Sequence, residues 1–202
     1  MLTKTHFLNR RILHWSLATS ATLTIIASLP AKTLALTGFT GDYDPSNWTL
    51  TNTNADGSVD TTNAASGSID LIGGDDGGES PGTTDWTINI TPSRAGSVSF
   101  DWSYFSLDIP GNDTAGYLLN NIFYQLAATD GDSSTAPVTF LLNPGDTFGF
   151  RVATVDNLGG LGIFTVQNFN VQPVAVPFQS SPVIGLAVLG LNGLYRQWRK
   201  RC

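Results

Sequence analysis

The sequence predicts an all-β domain, a single antiparallel β-sandwich of jelly-roll-like type, spanning residues 36–172 of a 202-residue chain. Three observations predict it. Apolar residues alternate with polar ones at period two in short runs. Clusters of Gly, Pro, Asn and Asp separate those runs at intervals of roughly ten residues. Helical periodicity is absent from the region, and no repeat of fixed length suggests a solenoid or propeller.

In chain order, "WTLT" beside Trp48 is the first candidate strand and "SIDLI" beside Ile69 the second. "TDWTINIT" places Trp86, Ile88 and Ile90 on one face. "GSVSFDWSYFS" places Val98, Phe100, Trp102 and Tyr104 on one face, with Ser97, Ser99, Asp101 and Ser103 on the other. A strand with one buried and one wet face requires that alternation. "IFYQLA" follows Asn120-Asn121, a pair suited to a tight hairpin because Asn tolerates positive φ. "PVTFLL", "DTFGFRVATVD" (with Phe148, Phe150 and Val152 together) and "IFTVQNFNV" complete the set. Residues 51–82, rich in Thr, Asn, Gly and Asp, read as long loops around one strand.

Charge is segregated along the chain. All sixteen acidic residues lie between Asp42 and Asp156, against Arg94 and Arg151 alone, which leaves that region at −14. Such a domain repels nucleic acid, which excludes it as a partner. Before it, residues 1–35 read as a signal peptide. Lys4, Arg10 and Arg11 precede the apolar "ILHWSLATSATLTIIASL", and Thr33 to Ala35 offer small residues for cleavage.

After it, residues 173–202 run through Pro177, Phe178 and Pro182 to an apolar stretch and a basic tip of Arg196, Arg199, Lys200 and Arg201. Val183 to Tyr195 would reach about 20 Å as a helix, short of the roughly 30 Å hydrocarbon core. The basic tip is what the positive-inside rule asks of a tail whose domain has been exported. The segment suits a transient stop in the membrane better than a lasting anchor.

Those C-terminal residues carry a resemblance. Pro177-Phe178-Gln179-Ser180-Ser181-Pro182 followed by "VIGLAVLGLNGLYRQWRKR" is similar to the PEP-CTERM type of sorting signal, in its Pro-Phe-Glu-x-x-Pro variant of cyanobacterial surface proteins. Gln179 departs from the acidic residue usual in that variant. The resemblance implies an exosortase-type membrane protease as partner, cleavage near Pro177, and passage from the inner membrane to the cell surface or extracellular matrix. "FTGDYDPSNWTL", "VSFDWSY" and "GDTFGFRVATVDN" also look like a β-sandwich module of bacterial exported proteins, which implies no defined activity.

Chemistry is bounded by what the domain lacks. His6 and His14 lie in the signal and Cys202 is the last residue, so residues 36–172 hold neither His nor Cys. Ser-His-Asp and Cys-His catalysis are excluded there, with His/Cys zinc sites and internal disulfides. The expectation is a non-enzyme that requires no cofactor. Two-carboxylate glycoside hydrolysis is a third-ranked alternative, with Asp101 and Asp108 better shielded than Glu79, the sole glutamate.

Calcium suits Asp42 and Asp44 in "GDYDPSN" and Asp130 and Asp132 in "DGDSST", hard oxygen donors in Gly-rich loops. Neither stretch is an EF-hand loop, because Asn47 and Thr135 stand where its glycine belongs. The competing reading is Asp capping its own turn. Trp86 and Trp102 share a register with core residues, which leaves Trp48 and Tyr43, beside a polar loop, as candidates to stack on a sugar. The leading expectation is therefore a non-catalytic surface or matrix protein. The alternative is a calcium-dependent module that binds extracellular polysaccharide.

Overall fold

The structure, a computed structural model, describes residues 35–173. The signal-peptide and sorting-signal segments, including Pro177, Phe178, Pro182, Arg196, Arg199, Lys200 and Arg201, lie outside the described residues. No helix among the described residues is long and apolar enough to cross a membrane.

Among the described residues, eleven strands form two antiparallel sheets. They are β1 (Leu36–Thr37), β2 (Thr49–Thr53), β3 (Ser58–Asp60), β4 (Ile69–Ile72), β5 (Gly82–Asn89), β6 (Gly96–Ser106), β7 (Asp113–Leu119), β8 (Ile122–Ala127), β9 (Val138–Leu142), β10 (Thr147–Thr154) and β11 (Gly162–Pro173). One sheet has the order β3-β4-β11-β6-β9, with β1 added alongside β11; the other has the order β2-β5-β10-β7-β8. Sequence neighbours such as β5 and β6 fall in different sheets, so the chain crosses repeatedly between layers.

The period-two runs become strands because each alternation separates a dry face from a wet one. Along β10, Phe148, Phe150 and Val152 are fully buried while Arg151 and Ala153 point the other way. The same holds for Trp86 and Ile88 on β5 and for Val98, Phe100 and Tyr104 on β6. At the hairpin between β7 and β8, Asn120 and Asn121 adopt φ of 52° and 64°, the paired left-handed geometry of a type I′ turn. On the edge, in β8, Ile122 and Tyr124 stay exposed because no further strand covers them. A register shift between Gln167 and Asn170 in β11, with Asn168 at φ 53°, turns Phe169 fully inward.

Aromatic rings dominate the space between the sheets. Phe39 stacks on Phe169 at 4.2 Å, Trp48 on Trp86 at 4.1 Å, and Phe148 meets Phe150 edge-on at 5.1 Å. With no disulfide to staple the domain, this dry aromatic slab is its main source of stability.

Residues 51–82 hold more order than loops around one strand. β3 and β4 pair there, and the end of β2 pairs with β5. β7 is a further strand that the turn-rich "DTAGYLL" conceals. It sits in register between β10 and β8.

Candidate functional site

The outer face of the five-stranded sheet is built from the residues opposite the core positions of each strand. Cross-strand register aligns Thr51, Asp85, Arg151, Gly116 and Gln125 in one row that crosses all five strands. The row on one side is Thr49, Thr87, Gly149, Leu118 and Phe123; the row on the other is Thr53, Thr83, Ala153 and Thr114. At about 4.8 Å between strands, the row spans about 19 Å.

Arg151 is the centre of this face. Its Nε and Nη2 donate to the two carboxylate oxygens of Asp85, each at 2.6 Å, and its guanidinium carbon lies 5.6 Å from the centre of the Phe123 ring. The bonds to Asp85 raise the guanidinium's pKa further, so it stays charged. Nη1 donates to no described residue. The pair keeps contact with water, with side-chain exposures of 25% for Arg151 and 17% for Asp85.

Two glycines keep the floor bare. A Cβ on Gly116 would run into the carbonyl oxygen of Tyr124, and one on Gly149 would lie 2.5 Å from that of Trp86. Neither position can carry a side chain while the strands lie this close. One row further along, Thr53, Pro81, Gly82, Thr83, Ala153 and Thr154 line an open depression of about 240 Å³. That is below the roughly 300–1,000 Å³ of drug-sized sites and suits a single small ring.

The residues proposed from sequence for sugar stacking lie elsewhere. Trp48 is 8% exposed and Tyr43 2%. The two short 3-10 turns at Gly41–Tyr43 and Pro45–Asn47 fold this stretch back onto the core. There the Trp48 Nε1 donates to the Tyr43 carbonyl at 3.0 Å, and the Tyr43 hydroxyl donates to the Arg94 carbonyl at 2.7 Å. Burial pushes the Tyr43 phenol well above its ordinary pKa. Neither ring offers a face to a sugar, which corrects that expectation. The polar loop beside Trp48 suggested exposure, but its turns carry the ring inward.

The four aspartates proposed for calcium are not brought together. Asp42 lies beside Arg94 at the start of β6, and its carbonyl accepts from Arg94 Nε at 2.8 Å. Asp130 accepts from the Ser106 amide at 3.3 Å at the other end of that strand. Eleven residues of strand separate the two ends by about 30 Å. Asp44 accepts from the Ser46 amide and hydroxyl at 3.0 and 2.7 Å, bonds that lower its carboxyl pKa. Asp132 accepts from the Ala128 and Thr129 amides at 3.0 and 2.9 Å. Asp44 and Asp132 thus act as turn caps. Among the described residues, no three His, Cys, Asp or Glu side chains converge as a metal cluster.

Sequence reasoning missed Asp85, Arg151, Phe123 and Gln125. A signal was present for Arg151, which is one of only two basic residues in an acidic domain and falls on the wet face of a strand. The pairing that makes it useful depends on β5 lying beside β10.

Solved structures to which the chain shows a low-scoring similarity include carbohydrate-binding modules. A carbohydrate-binding module of the β-sandwich superfamily, described as promiscuous in specificity, is 17% identical with a TM-score of 0.42, over 68% of this chain and 62% of that one. A family 11 module of the cellulosomal cellulase Lic26A-Cel5E of Clostridium thermocellum is 14% identical with a TM-score of 0.36, over 66% of this chain and 91% of that one. A family 35 module from Clostridium thermocellum is 17% identical with a TM-score of 0.32, over 66% and 97%. No protein-family model matches the chain, and no curated protein matches it.

Proposed function

We propose that the chain is an exported, non-catalytic β-sandwich that binds a glycan across the outer face of its five-stranded sheet. The observation that carries this reading is the Asp85–Arg151 pair, joined at 2.6 Å between the glycine floor and the Phe123 ring. Neighbouring hydroxyls of a sugar present paired donors and acceptors, which a guanidinium-carboxylate fork matches. Thr51, Thr87 and Gln125 add hydrogen-bonding groups along the same face, and an aromatic ring covers the apolar C–H face of a sugar. Charge narrows the ligand. A region at −14 repels polyuronates and sulfated polymers, so the reading favours a neutral polysaccharide.

Delivery belongs to the same proposal. The signal peptide exports the domain, and the C-terminal segment holds it at the membrane until an exosortase-type protease cuts near Pro177. The released domain then reaches the cell surface or matrix. No step of this account requires a catalytic group on the sandwich.

Affinity electrophoresis through gels cast with neutral or acidic polysaccharides tests the binding. Retardation by at least one neutral polymer, reduced tenfold or more in Phe123→Ala and Arg151→Gln, is expected. Retardation unchanged in both variants, or seen only with acidic polymers, overturns the proposal.

A further inference from the structure

At the end of the sandwich where β6 meets the loop into β7, three buried oxygens make no hydrogen bond of good geometry, although Thr154 lies beside Asp113 and Ser106 beside Tyr104. They are Asp108 Oδ2, Asp113 Oδ1 and the Tyr104 hydroxyl. Asp113 is 2% exposed and Tyr104 3%. The three surround Ser106. Its hydroxyl donates to Asp113 Oδ2 at 3.3 Å and accepts from the Asp108 amide at 3.1 Å, which exhausts its one proton. Asp108 Oδ1 is occupied by the amides of Ile109 and Asn112, at 2.5 and 3.4 Å. Leaving buried carboxylate oxygens unpaired costs several kcal/mol in general, so native structures avoid it.

Among the described residues no counter-charge lies here. Among the described residues the only basic side chains are Arg94 and Arg151. Arg94 is bonded to the carbonyls of Asp42 and Asn89 at the far end of β6, and Arg151 to Asp85 on the outer sheet face. Asp156, on the loop after β10, adds further negative charge near Asp113. The loop that carries Asp108 is not held by packing either: Leu107 and Ile109 are 69% and 70% exposed.

We infer that a divalent cation, calcium by its preference for hard oxygen donors, binds between Asp108 and Asp113 with the Tyr104 hydroxyl beside it. Two carboxylates balance its charge, and water completes a coordination shell of roughly six to eight oxygens. The ion ties the end of β6 to the start of β7 and fixes the loop between them. This site is separate from the glycan-binding face and stands whether or not that face binds sugar.

The test compares the full chain in excess calcium chloride and in chelator by thermal unfolding. A calcium-dependent rise in Tm on the order of 8 °C at a hundredfold excess over Kd is expected. Asp42→Asn keeps the rise; Asp108→Asn and Asp113→Asn abolish it. Equal Tm in calcium and chelator, or a rise that survives in both latter variants, overturns the inference. Should those variants fail to fold, calcium titration calorimetry decides between wild type and Tyr104→Phe, which keeps the ring. One saturable site per chain, weakened severalfold by Tyr104→Phe, supports the inference. No saturable site, or equal affinity in the two proteins, refutes it.

Discussion

Replacing Trp48 by alanine separates a core residue from a binding residue. The ring is 8% exposed, lies flat against Trp86 at 4.1 Å, and meets Phe39 and Phe148 edge-on at 5.8 Å each. Truncating a buried Trp to Ala costs about 3–5 kcal/mol. The Tyr43 carbonyl also loses its Nε1 donor, for about 1 kcal/mol more. The expected loss is therefore about 4–6 kcal/mol, a large part of the roughly 5–15 kcal/mol that holds such a domain together. With a urea dependence of about 2 kcal/mol per molar, the unfolding midpoint should fall by about 2–3 M. Trp48→Phe keeps a ring on Trp86 and loses the hydrogen bond and some area, so its loss should be about 1–2 kcal/mol. Tryptophan fluorescence and far-UV circular dichroism should report the same midpoint. An unchanged midpoint in Trp48→Ala, together with lost polysaccharide retention, would refute the packing argument and restore Trp48 as a sugar platform.

Other consequences follow from the same geometry. In chelator, burial first, and then the charges of Asp108 and Asp156, raise the Asp113 pKa to about 6, with the Tyr104 phenol facing it from β6. The folded protein then holds that proton more tightly than the unfolded chain. Asp113's contribution should be fully present below about pH 4 and lost as pH rises through 6, by on the order of 3 kcal/mol at most. Asp113→Asn should flatten that slope in urea titrations run from pH 4 to 8. At the β7–β8 turn, Asn121→Val should cost about 1–2 kcal/mol because a β-branched residue resists φ of 64°, and Asn121→Gly should cost nothing in the same denaturation assay. If the C-terminal signal is processed, intact-mass measurement of cell-surface protein should find a species beginning near Leu36 and ending before Val183. A full-length C-terminus retained in the inner membrane would contradict that.

How much of this was legible in the sequence depends on whether the information is local. β6 is legible along most of its length, because Ser97 to Tyr104 alternate polar and apolar; only its end departs, where Phe105 breaks the alternation and stays exposed. The Asn120-Asn121 hairpin is legible because its signal is the backbone preference of those two residues. β7 is not, since Gly116 sits mid-strand for the sake of the neighbouring Tyr124 carbonyl and reads locally as a breaker. Trp48 was misplaced for a similar reason: whether a ring beside a polar loop faces water depends on turns that fold against Phe39 and Phe169. Asp85 and Arg151 lie 66 positions apart, and only the order β5-β10 makes them a pair. Asp113 reads as the polar start of a turn-rich run, and nothing local marks it as buried without a counter-charge.

The central claim is that sugar lies across the row Thr51–Asp85–Arg151–Gly116–Gln125. Amide chemical-shift mapping of the isotope-labelled protein, titrated with an oligosaccharide from a retained neutral polymer, addresses it most directly. The account predicts saturable shifts confined to that row, to Phe123 and to the threonines of the rows beside it. Shifts centred on the β6–β7 loop or on the β3-β4-β11 sheet would contradict it, as would none at saturating sugar.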